Sequence, residues 1–130
     1  MATRAPQRSS FYTRDSGGEH ENTPGEYVEW AIRTATEHGV RFTGTASQIE
    51  QMIRSNLHHE GDVFLDFGVK GNLLSRPALD AMLRTAEAEA AVSHVFIPRR
   101  DRLARPDDPS DGMQIENRLR RRGVTLVYMD

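Results

Sequence analysis

The chain reads as an α/β domain, a mostly parallel central sheet of about four strands flanked by helices. Three observations predict it. Short β-prone or apolar runs alternate with segments of helical periodicity in the order β, α, α, β, α, β, α, β, as parallel strands joined by right-handed crossovers require. The helical segments carry their own start and stop residues. The apolar run Val95-Phe96-Ile97 leads into Arg99-Arg100-Asp101-Arg102-Leu103-Ala104-Arg105, placing fixed positive charge at the sheet edge where open α/β domains build ligand crevices.

Phe11-Tyr12-Thr13 predicts the first strand, and residues 17–25, rich in Gly and polar groups, predict a loop. Thr23-Pro24-Gly25-Glu26 is a capping box with Pro at the first helical position, so a helix is expected to about His38, stopped by Gly39. A second capping box, Thr45-Ala46-Ser47-Gln48, opens a helix with the stripe Ile49, Met52, Ile53 and Leu57. Residues 62–66 predict a strand. Pro77 opens a helix with Leu79, Met82, Leu83 and Ala86 buried. Residues 91–97 predict the next strand. Asp108-Pro109 starts a helix carrying Met113, Ile115 and Leu119, closed by Gly123, and residues 124–128 form the last strand.

The 130 residues fit one domain with a modest core. Residues 1–9 are expected to form a disordered lead-in, with the domain over 10–130. The chain stops just after a strand, which predicts a piece of something longer. There are no cysteines, so disulfides, thiolate zinc sites and cysteine nucleophiles are excluded. No stretch is apolar and long enough for a bilayer, and the N-terminus lacks a signal-peptide core; a cytoplasmic protein without membrane contact is expected. The net charge of −2 gives no global nucleic-acid signature, so affinity for DNA must come from local patches. Residues 99–105 are one. Arg118, Arg120, Arg121 and Arg122 form another, read as a solvated helix end where cations complement the dipole.

Arginine is permanently charged, planar and able to grip two phosphate oxygens, so the 99–105 run points to phosphate handling. Around it stand Tyr12-Thr13-Arg14-Asp15-Ser16 at the end of the first strand, Asp66-Phe67-Gly68 at the end of the second and Arg76-Pro77-Ala78-Leu79 at a helix start. Asp101-Arg102-Leu103-Ala104-Arg105 and Gly123-Val124 complete the set. The order of these motifs resembles the catalytic domain of the serine recombinases, the resolvase/invertase family. Each motif alone is weak; the order carries the resemblance. The chain departs from the pattern in two places. The stretch near 20–44 is longer than the family needs and is expected to be a helical insertion, which leaves Gln48 and Gln51 as the nearest candidates for the family's glutamine. Lys70-Gly71 stands where Ser-Gly is usual.

The resemblance implies that Ser16 is a nucleophile attacking a DNA phosphodiester to form a 5′-phosphoserine bond, with no cofactor and no metal. It implies that Arg14, Arg76, Arg102 and Arg105 surround the phosphate, while Asp101 orients an arginine or moves the proton of the leaving 3′ oxygen. Fixed cations suit that role, because phosphoryl transfer spreads charge over the non-bridging oxygens. Tyr12, Asp66, Arg99 and Gln51 are expected to contact substrate. The partners implied are a double-stranded recombination site and further copies of the protein, as homodimer and homotetramer, with a DNA-binding domain that this chain lacks.

Blander readings stand beside these. Ser16 before Gly17-Gly18 suits a turn, Asp66 a strand-end cap, Arg76 a helix surface and Tyr12 sheet packing. Arg99 and Arg100 contact DNA backbone or only solvent. His58 and His59 point about 100° apart on a helix and read as structural residues at its C-terminus. Lys70-Gly71 lacks a P-loop framework. Two other functions remain: a degenerate recombinase-like domain serving DNA binding or assembly, and an unrelated phosphate- or nucleotide-binding α/β domain.

Overall fold

The computed structural model describes residues 7–15, 24–67, 76–99 and 109–129. The elements are β1 (Arg8–Asp15), α1 (Pro24–His38), α2 (Ala46–Arg54), β2 (His59–Glu60), β3 (Val63–Phe67), α3 (Pro77–Ala88), β4 (Val92–Ile97), α4 (Pro109–Arg121) and β5 (Thr125–Tyr128). They form an α/β domain with one sheet in the order β2-β3-β1-β4-β5. The pairs β1–β3, β1–β4 and β4–β5 are parallel, and only β2 runs antiparallel to its neighbour.

The fifth strand is the addition to the expected four. His59 and Glu60 pair back onto Phe64 and Val63 across a turn in which Gly61 takes φ +59°, a conformation glycine adopts at little cost. The two histidines are therefore not at a helix end. Helix α2 stops at Arg54 because Asn56 turns left-handed at φ 55°. The Leu57 amide then donates to the Met52 carbonyl and the Asn56 amide to that of Ile53, the closing pattern of a helix whose chain reverses.

Strand β1 begins at Arg8, inside the expected lead-in. It is the central strand, and polar Ser9, Ser10 and Thr13 are buried between β3 and β4. Ser9 and Ser10 pair with β4, Thr13 pairs with β3, and the Ser9 amide donates to the Arg41 carbonyl, so backbone pairing lets a run without apolar alternation lie at the middle of the sheet.

Alternation along the strands divides the core in two. Tyr12, Phe64, Val95 and Ile97 face α3 and α4, where Leu79, Met82, Ile115 and Leu119 pack. Phe11, Val63, Leu65 and Phe96 face α1 and α2. The helix in the 20–44 stretch contributes Tyr27, Val28, Ala31 and Ala35 to that second layer, so it covers the sheet rather than decorating it. Met113, expected on α4 with Ile115 and Leu119, is 64% exposed; Ile53 and Leu57, expected on the helical stripe of α2, are 39% and 44% exposed. Ile49 and Met52 alone bury that helix.

Two helices close by side-chain bonds. The Thr45 hydroxyl accepts from the Gln48 amide while the Thr45 amide donates to the Gln48 side chain, the reciprocal cap that the sequence predicts. At the far end of α4, Arg118 holds Glu87 on α3 through Nε at 2.9 Å, and Arg122 reaches the Glu87 carbonyl. The second arginine patch thus ties two helices together at an exposed end.

Gly44 gives a direct test of packing in the α1–α2 layer. A Cβ there would sit 2.6 Å from the Phe42 ring and 2.9 Å from Val63 Cγ2, and the Phe42 ring is itself lodged against Phe11 and Phe96. Gly44→Ala is expected to destabilise the domain by about 1–3 kcal/mol, as overpacking does, measured by urea unfolding.

Candidate active site

Parallel pairing brings the C-terminal ends of β1, β3 and β4 to one edge, and the motif residues come with them. Arg14 and Asp66 are directly opposed in the β1–β3 ladder. Tyr12 precedes Arg14 by two positions and so shares its face.

Asp66 is the hub of this edge. Its side chain is 2% exposed and accepts from the Tyr12 hydroxyl at 2.8 Å, from the Ala78 amide at 2.9 Å and from the Leu79 amide at 3.2 Å. Those amides belong to the first turn of α3, which leaves its N-terminal N–H groups without helical partners. The N-cap residue is Arg76, whose side chain makes no capping bond. Asp66 caps the helix from another element, and the negative charge suits the positive end of the dipole. His58 adds a contact: Nδ1 lies 3.6 Å from Asp66 Oδ1 and 2.9 Å from the Leu65 carbonyl, with the ring stacked on Phe67.

The Tyr12 side chain is fully buried. Burial, followed by the Asp66 charge and hydrogen bond, raises its pKa well above the ordinary 10.0, and Arg14 and Arg76 oppose that shift. The electrostatic coupling places Arg14, Arg76, Tyr12 and Asp66 in one cluster. Tyr12 and Asp66, expected to contact substrate, are both buried and paired with each other at this edge.

Arg76 reaches from the start of α3 to the first turn of α4. It donates to both carboxylate oxygens of Asp111, from Nη1 at 2.8 Å and Nη2 at 3.1 Å. Burial works to lower the Arg76 pKa, and the Asp111 hydrogen bond and charge outweigh it, so the guanidinium is held above its ordinary range. Asp111 is the residue that sequence reasoning missed. The signal for it is slight: an acidic side chain in the first turn of a helix that follows an arginine-rich stretch.

The remaining expected residues divide. Arg99 is half-buried just beyond β4, at the same sheet edge. Gln51 is exposed on α2, whose buried residues pack on the opposite face of the sheet, so the structure does not bring it to the Asp66–Arg76 cluster. Ser16, Asp101, Arg102 and Arg105 lie outside the described residues.

With this edge in view, comparison with known families decides the relationship: Resolvase, N terminal domain, matches residues 31–130. The chain belongs to the resolvase N-terminal domain family. The match takes in Asp66, Arg76 and the 101–105 motif, and begins after Tyr12–Ser16. No curated protein and no solved structure matches the chain. Among the described residues, no helix of this resolvase-family domain is long and apolar enough to cross a membrane.

The Tyr12–Asp66 bond has an alkaline signature. A folded-state pKa above the unfolded value means that the native state holds the proton longer. The contribution is complete below about pH 10 and is lost as pH rises from there through the raised native value. Tyr12→Phe is expected to cost about 1–3 kcal/mol at neutral pH, since buried Asp66 loses a donor, and to flatten the stability slope above pH 10. Denaturant titrations at several pH values measure both effects.

Proposed function

We propose that this chain is the catalytic domain of a site-specific serine recombinase that cleaves and rejoins DNA through a 5′-phosphoserine intermediate. The observation that supports it best is the edge itself. In a chain of this family, Arg14, the Asp66 anchor and Arg76 converge at the C-terminal ends of β1 and β3 and the start of α3.

Ser16 is two residues beyond Arg14 in the chain. In the proposed reaction the Oγ–P bond forms as the P–O3′ bond breaks. The serine gives up its proton and the departing 3′ oxygen takes one, so charge and bond count balance and the reverse step rejoins the strands. A serine hydroxyl is a weak nucleophile at neutral pH. The cations Arg14, Arg76, Arg102 and Arg105 would stabilise the charge spread over the phosphoryl oxygens, and Asp101 would orient one of them or pass the proton to the 3′ oxygen. Arg99 would contact the DNA backbone. The setting proposed is cytoplasmic, on double-stranded DNA, with the protein acting as a dimer at each site and a tetramer at synapsis.

The test uses the full-length protein and DNA from the ends of its own element, nicked so that the cleaved state is trapped. Mass spectrometry is expected to find a nucleotide adduct on Ser16 and none in Ser16→Ala. Arg76→Ala is expected to slow adduct formation on the order of 10²–10³-fold, the scale for removing one donor from a developing oxyanion. DNA binding without any adduct would overturn the enzymatic reading and leave a binding or assembly module.

A further inference from the structure

We propose that Asp111 is an intramolecular competitor for phosphate: it occupies Arg76 in the resting domain and yields when a DNA phosphate takes its place. The proposal rests on the recombinase reading only for the identity of the incoming phosphate.

The start of α3 offers an anion two things, the amides of its first turn and the Arg76 guanidinium. Carboxylates of the protein itself fill both. Asp66 takes the amides, and Asp111 takes the guanidinium. The two differ in how firmly they are held. Asp66 is 2% exposed and has Tyr12 as a further donor from the central strand. The Asp111 side chain is 13% exposed. It lies on the rim of an open groove between α3 and α4 whose other polar lining includes Asp80, Gln114 and Arg118. A ligand can reach this carboxylate from solvent, and it cannot reach Asp66.

The geometry also favours exchange. Asp111 binds end-on with one oxygen per terminal nitrogen, an arrangement that two oxygens of a phosphodiester reproduce. Each ligand gives the guanidinium one negative charge, and the displaced Asp111 carboxylate turns to solvent at the groove rim. Breaking such a partly buried pair with nothing in its place leaves a charge unsolvated and is costly. A phosphate must therefore arrive in register, which screens out loosely placed backbone contacts. Asp111 is also in the first turn of α4, the helix that follows the 101–105 motif in the chain. Its release would act at the start of that helix.

The experiment measures phosphate binding rather than strand cleavage, so it separates this idea from the Ser16 chemistry. A generic-sequence DNA duplex is titrated against the full chain by fluorescence anisotropy for wild type, Asp111→Asn, Asp80→Asn and the Asp111→Asn/Arg76→Ala pair. Asp80→Asn removes the same charge from the same groove without touching the Arg76 fork. Competition predicts that Asp111→Asn tightens binding about tenfold, or about 1.4 kcal/mol, that Asp80→Asn changes it by less than about threefold, and that adding Arg76→Ala removes the gain. Equal effects of the two asparagine variants, weaker binding by Asp111→Asn, or no binding by any form overturns the proposal. Should Asp111→Asn fail to fold, wild type suffices. Its Arg76 side-chain NMR signals are expected to shift on saturation with inorganic phosphate, and signals that stay fixed overturn it. A Ser16 adduct together with a failed Asp111 test would leave the enzymatic reading intact.

Discussion

A buried carboxylate sets the terms for the rest of this molecule. An ionised group out of water is costly unless donors surround it, and Asp66, on β3, meets that condition through a hydroxyl from β1 and two amides from α3. The bonds fix where β1 stands beside β3 and where α3 begins. Arg14 is positioned by being opposite Asp66 in the ladder, and Arg76 by being the residue just before the helix that Asp66 caps. The charged groups at the sheet edge are thus located by backbone register and one helix cap, rather than by their own long side chains.

Much of the fold was legible because the physical signals are local. A capping box at Thr45, a proline at a helix start and apolar spacing depend on residues a few positions apart, and the expected elements at α1, α2, α3, β3, β4 and β5 are present in the folded chain. Features that depend on distant partners were not legible. Arg8, Ser9 and Ser10 show no strand pattern alone; they become strand because β4 pairs with them, with Arg41 bridging to Arg8 and Ser9 on the other side. The two-residue β2 exists only by pairing with β3. Met113 has helical spacing but faces solvent, since Ile115 and Leu119 already fill the contact with the sheet.

The site shows the same division. Residue types and their order point to phosphate chemistry, but a motif names side chains and not their partners. Tyr12 and Asp66 look like ligand contacts at the end of strands, yet they satisfy each other 54 residues apart in the chain. Asp111 is 35 residues from Arg76, and nothing in the sequence joins them. Gln51 is a glutamine after Ser16 in chain order, but its place is set by which face of the sheet α2 covers.

Charge compensation offsets the arginine clusters of this chain, whose net charge is −2. Arg76 faces Asp111, Arg118 faces Glu87, Arg120 faces Glu116, and Arg8 faces Asp62 and Glu89. The exposed pairs among these contribute little to stability, but each of the pairs lowers the potential that a polyanion meets. Attraction to DNA falls with every compensated cation, because affinity follows the number of phosphates neutralised. A domain built this way gains little from passing contacts along a duplex. It gains when a phosphate enters in a geometry good enough to replace a carboxylate, so the same side-chain pairing that holds α3 against α4 also sets how selective the edge is toward the backbone it meets.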